Sequence, residues 1–214
     1  MNDTGQHARF LHGRAEVIAF VVILFTAGCD LPFVQKSPEQ ELREELSNDP
    51  EIRSYQIEGS KPLVGGNNSG GGIVVYSAYR RTGEYVRGHL VVGPIKNGVR
   101  ASGGGRHVAD PNIPASAVFC YTVLAGGGTP GYVAVIGRAD PQDVASIEVS
   151  YSNGETAKEE MKGGTVIIVM PGASDPTSIR AIGHAGEILH EAKPDSVPPL
   201  RPNEMMSDPE ECTP

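Results

Sequence analysis

The chain of 214 residues has no tryptophan, and phenylalanine and tyrosine together make up the whole of a 6% aromatic share. A carbohydrate platform built on indole rings is therefore excluded. Tyr76, Tyr79, Tyr85 and Tyr121 remain as ring faces, although tyrosines on strands more often pack in a core or across a sheet. Positive charge is also scarce, with 18 Lys and Arg against 26 Asp and Glu, a formal charge of −8. Without a clustered basic stripe, nucleic acid is not an expected partner. Long apolar runs are missing too. The run that begins at Val17 meets Glu16, Arg14 and His12 on its N-terminal side, so it falls short of the roughly 20 residues a spanning helix needs.

Recognisable catalytic patterns are missing as well. Gly-x-Ser-x-Gly, His-Glu-x-x-His, paired Cys-x-x-Cys and the EF-hand loop do not occur. Ser174, in Gly172-Ala173-Ser174-Asp175-Pro176, lacks the second glycine of a nucleophile elbow and reads as a turn residue. A site assembled from distant segments would escape such a search.

What the chain has instead is punctuation: 27 glycines and 17 prolines between short stretches rich in strand formers. The expected strands are 54–58, 73–80, 84–92, 99–101, 116–124, 132–138, 146–151, 156–161, 165–170, 177–182 and 187–190. Ile147, Val149 and Tyr151 alternate with Ser146, Glu148 and Ser150, the period of a half-buried strand, and Asn153-Gly154 follows as a hairpin turn. Thr165 to Met170 is apolar on both faces, as befits a strand covered on each side. Gly59 to Gly72 and Gly103 to Pro114 read as loops. With no helical period between strands, the fold expected is all-β, an antiparallel sandwich or a partly open barrel.

Ahead of the strands, Ser37-Pro38-Glu39-Gln40 combines a cap, a proline at the first helical position and a capping-box glutamine. The helix should end before Asn48-Asp49-Pro50. Only Leu42 and Leu46 are apolar along it, so it reads as a solvated spacer within a 29–50 tether, leading into a β-domain over 51–192. Residues 193–214, proline-rich and acidic, have little to bury and read as a disordered tail.

The run Val17 to Cys29 is preceded by Arg9 and Arg14 and closes on Thr26-Ala27-Gly28-Cys29. It resembles a bacterial lipoprotein signal, with Ala27, Gly28 and Cys29 matching the lipobox and Thr26 standing where an aliphatic residue is usual. The resemblance implies a signal peptide over 1–28, lipidation of Cys29, and a protein held to the membrane on the extracytoplasmic face of the cell envelope. Two acyl chains on a diacylglyceryl group suffice for stable anchoring. An uncleaved N-terminal anchor is the alternative.

A second resemblance covers Arg138 to Glu187, through Asp140-Pro141, Val144, Ile147, Val149, Tyr151, Asn153-Gly154, Ile167 to Pro171 and Ile179 to Gly186. This stretch is similar to small immunoglobulin-like domains of secreted Gram-positive proteins, and it implies fold and compartment rather than activity.

With Cys29 assigned to lipid, Cys120 and Cys212 either form a disulfide in an oxidising exterior or leave Cys120 as a buried thiol in a strand. His184 and His190 flank one expected hairpin, where two imidazoles can share a metal, yet no third ligand accompanies them. Gly103-Gly104-Gly105-Arg106-His107 offers amides and a cation to an anion, without the Lys-Ser/Thr of a phosphate loop. Asp140 and Asp143 read as an Asx turn rather than a calcium site. No catalytic residue, cofactor or metal is assigned. The expectation is a non-catalytic binding or interaction module of the envelope, with a protein partner there as one form of ligand. The alternatives are an envelope enzyme, which a cleft holding His89 or His107 beside an acid would favour, and an accessory subunit of an envelope complex, which a large exposed apolar patch would favour.

Overall fold

The computed structural model describes residues 36–63, 71–95, 98–109, 119–126, 131–172, 174–195, 205–207 and 210–213. They lie within one compact unit, Gln35–Pro214. The expected signal segment and Cys29 fall outside the described residues. Among these residues no helix is long and apolar enough to cross a membrane.

Helix α1 (Pro38–Asn48) begins as its sequence requires. The Ser37 hydroxyl accepts from the Gln40 amide at 3.2 Å, and the Gln40 side chain accepts from the Ser37 amide at 2.8 Å. It stops at Asp49, whose extended backbone suits a residue before proline. The solvated-spacer expectation does not hold. Leu42 and Leu46 are buried against strands of the domain, because two leucines four residues apart make a stripe that is sufficient once a sheet supplies the opposing surface.

Thirteen strands follow among the described residues, all paired antiparallel. The front sheet runs β1-β2-β3-β4, from Ile52–Pro62, Gly72–Arg80, Tyr85–Ile95 and Gly98–Val108. A middle sheet contains β5 (Phe119–Gly126), β6 (Tyr132–Arg138) and β9 (Thr165–Pro171), with β12 (Met205–Ser207) and β13 (Glu211–Thr213) both paired to β5. The back sheet is β11-β10-β7-β8, from Ile188–Ala192, Pro176–Gly183, Val144–Tyr151 and Thr156–Glu160.

The all-β sandwich expectation holds, with a layer more than two sheets would give. Val123, Val133, Val135 and Ile168 pack toward Ile147, Val149 and Ile179 of the back sheet. Leu124, Ala134, Ile136 and Ile167, on the other face of the same strands, pack toward Ile73, Val75 and Val91 of the front sheet. The front sheet then turns Val74, Val86, Leu90 and Val92 to α1. Middle-sheet strands are thus covered twice, which is why β5 and β6 are buried at every position. The strands β5 to β11 form a seven-strand unit of two sheets, β5-β6-β9 and β11-β10-β7-β8. Its Asn153-Gly154 turn requires the left-handed backbone found at Gly154, φ +84°.

Two further expectations are corrected. The glycine run at 103–105 is not a loop: β4 passes through it, and a Cβ on Gly104 would sit 2.6 Å from the His89 carbonyl oxygen. Glycine here permits close approach of two strands rather than a turn. The tail is not without structure either. Residues 205–207 and 211–213 cap the edge of β5, and Cys212 is disulfide-bonded to Cys120. A strand edge otherwise left unpaired and a covalent tie supply what the tail's composition lacks.

Candidate functional site

Alternation along β3 decides where the polar residues go. Val86, Leu90 and Val92 face α1, so Arg87, His89 and Val91 face the middle sheet. On β6, Arg138 follows Ala134 and Ile136 on the face that looks back at them. His107 of β4 lies opposite Arg87 in the ladder. In β1 the register shifts between Ile57 and Gly59, and this bulge leaves Glu58 out of the pairing and aimed at Arg138.

These residues meet Glu210, delivered by the chain's last residues. Arg138 Nε donates to Glu58 Oε2 at 2.9 Å, and its Nη1 donates to Glu210 Oε1. His107 Nε2 lies 2.6 Å from Glu210 Oε2, and Arg87 Nη1 approaches the same oxygen at 3.7 Å. Thr165 Oγ1 adds a bond to Glu58 at 3.3 Å. The Glu210 side chain is 3% exposed. Its burial would raise the pKa, yet the His107 hydrogen bond and the charges of Arg138, His107 and Arg87 outweigh that and bring it down to about 2. Glu210 is therefore ionised at neutral pH and only accepts, so His107 carries its proton on Nε2 and donates it.

His89, in the same interface, is 7% exposed, and its Nε2 is buried without a hydrogen-bond partner among the described residues. Burial first, then the positive charges of Arg138 and His107, lowers its pKa to about 4. It is a neutral imidazole at pH 7.

A cleft of about 470 Å³ opens beside this cluster. Arg87, Arg138 and Glu58 line it, with Gln56, Ser77 and Tyr85 from the front sheet. A second hollow of about 370 Å³ lies between α1 and the front sheet, against Leu42, Tyr76 and Gly104.

The other residues singled out in the sequence are placed apart. Arg106, next to His107, points to the opposite face and donates to Asp49 Oδ2 at 2.8 Å, so the Gly-Arg-His run does not wrap one anion. His184 Nε2 contacts the Pro141 carbonyl at 3.1 Å, whereas the His190 ring stacks on Phe119 at 6.4 Å; the two do not converge on a shared metal. Asp140 Oδ1 accepts from the Gln142 amide at 2.8 Å and its carbonyl from Asp143, the Asx turn expected. Tyr79 and Tyr85 pair across β2 and β3 at 5.1 Å, while Tyr76 is buried toward α1 and the Tyr121 hydroxyl donates to Glu211. They make no common platform. Among the described residues, one trio has metal-like spacing: Cys120, Glu210 and Cys212. Its two sulfurs are bonded to each other, so neither is free as a thiolate.

Sequence reasoning missed Arg87, Arg138, Glu58 and Glu210. A faint signal exists in Arg138, a guanidinium ending a seven-residue apolar strand, since such a charge must be paired when buried. The fold and cluster define an all-β, multi-sheet sandwich with a polar cleft at one interface. Compared with models of known families, with curated proteins and with solved structures, the chain matches none.

Proposed function

We propose that the protein is a lipid-anchored, extracytoplasmic binding module of the cell envelope, attached through Cys29 and non-catalytic. The observation that supports it best is the Cys120–Cys212 disulfide, because such bonds persist in oxidising compartments and are rare in the cytosol. It joins the export-type segment at Val17 to Cys29 as a second, independent pointer to the same side of the membrane. Binding rather than catalysis is favoured by the ion cluster beside the cleft, where the carboxylates of Glu58 and Glu210 are committed to Arg138 and His107.

The test is intact-mass analysis of protein taken from the membrane fraction, with Cys29→Ala alongside. A mass shortened by 28 residues and raised by a diacylglyceryl group is expected, and the variant should lose that modification and shift to the soluble fraction. An unmodified full-length mass, with the variant fractionating like the parent, would sink the reading.

One observation favours an envelope enzyme instead: His107 stands beside an acid, Glu210. That pair ranks second because Glu210 is also bonded to Arg138, and His107 does not line the 470 Å³ cleft. Turnover abolished by His107→Gln, in a protein whose fold is intact, would reverse the order.

A further inference from the structure

We propose that the 470 Å³ cleft binds a small hydroxylated monocarboxylate, of the size of a sugar acid, with Arg87 receiving the carboxylate. The proposal deepens the binding-module reading and rests on it only in taking binding as what the domain does.

Three basic side chains face the cluster, and two hydrogen-bond to its carboxylates. Arg138 donates Nε to Glu58 and Nη1 to Glu210, and His107 gives its Nε2 proton to Glu210. Arg87 is the exception. Its Nη1 lies 3.7 Å from Glu210, an ion-pair distance too long for a hydrogen bond, and its Nε is buried without a partner among the described residues. A buried donor left unsatisfied costs about 1–3 kcal/mol. Arg87 also lines the cleft, so a ligand entering there meets a guanidinium held to the cluster by an ion pair alone. Carboxylates fit a guanidinium fork through two parallel bonds.

Charge narrows the ligand further. Arg87 stands among the carboxylates of Glu58, Asp140 and Glu210. A dianion such as phosphate would face those carboxylates with twice the charge, whereas a monoanion placing its one charge on Arg87 is repelled least. The remaining lining explains the hydroxyls. Ser77, Tyr85, Thr165 and Gln56 offer donors and acceptors suited to neutral polar groups. The Tyr85 ring, with the Arg87 guanidinium 5.8 Å from its centre, adds one flat apolar wall. The volume falls within the range of small-molecule sites.

The experiment is calorimetric titration of the full-length protein in detergent with D-glucuronate, D-galacturonate, D-glucose and inorganic phosphate. Saturable binding of at least one sugar acid is expected, with glucose and phosphate at least tenfold weaker. Arg87→Lys, which keeps the charge and loses the fork, should weaken the binding at least tenfold. Gln56→Ala, at an exposed position that leaves the ion cluster intact, should weaken it about threefold and serves if the arginine variant does not fold. The proposal is overturned if neither acid binds, if glucose or phosphate binds as well, or if the folded variants bind like the parent. Anchoring is read by fractionation and mass alone, so failure of binding and failure of the envelope assignment are distinguishable.

Discussion

Glu210 Oε2 lies 2.6 Å from His107 Nε2, across 103 residues of sequence. Through this contact the last residues of the chain reach the buried interface between the front and middle sheets. Because the folded-state pKa of Glu210 is about 2 against an ordinary 4.5, the unfolded chain takes up this proton more readily. The stabilisation is complete above about pH 4.5 and is lost as pH falls toward 2. Its size is on the order of 3 kcal/mol. Glu210→Gln should remove that part of the acid sensitivity, and lower neutral-pH stability by several kcal/mol by stranding buried cations. Urea unfolding between pH 2 and 7 measures both; a parent-like slope below pH 4.5 would contradict the assignment.

His89 sets the window above. Its folded-state pKa of about 4 lies below the ordinary 6.5, so between those values the unfolded chain binds the extra proton and stability falls as pH falls. The loss amounts to about 3 kcal/mol. His89→Leu should flatten the dependence of Tm on pH between 6.5 and 4 while leaving the lower window in place. Two separable windows are the expected signature, and one merged slope unaffected by either variant would count against both assignments.

The disulfide should matter as much as either titrating group. Cys120 and Cys212 are 92 residues apart, and closing a loop of that length stabilises by about 4–5 kcal/mol in the chain-entropy account. Reduction by dithiothreitol should lower Tm and speed amide exchange along β5, whose edge the tail covers. Cys212→Ser should match the reduced parent in Tm. A variant as stable as the oxidised parent would show the bond to be dispensable.

Leu42→Ala reads out whether α1 belongs to the domain. Leu42 is 1% exposed, so truncation should cost about 2–5 kcal/mol. Arg43→Ala, one residue on and exposed, should stay within about 0.5 kcal/mol. Equal effects of the two on the denaturation midpoint would restore the solvated-spacer picture.

Much of the fold was legible because its signals are local. The capping box at Ser37 and Gln40, the alternation over Ile147 to Tyr151 and the Asn153-Gly154 turn each depend on residues a few positions apart. Tyr132 to Arg138 was bounded correctly by its flanking turns. Gly103 to Gly105 misled for a local reason as well. Glycine signals a turn when read alone, and its actual role, admitting the His89 carbonyl, is set by the neighbouring strand.

The candidate site was hardly legible. Arg138, Glu58, His107 and Glu210 are separated by 72 to 103 residues along three of their contacts, and no spacing rule links them.

By itself, then, the sequence determined an all-β architecture, its turns and a capped helix, since period, propensity and capping are written into neighbouring residues. Only the tertiary structure decided that β5 and β6 lie between two sheets, that α1 and the tail join the domain, and that Arg87 faces a cleft. Those outcomes depend on which surfaces meet, and burial converts a scattered arginine, histidine and glutamate into one interacting group.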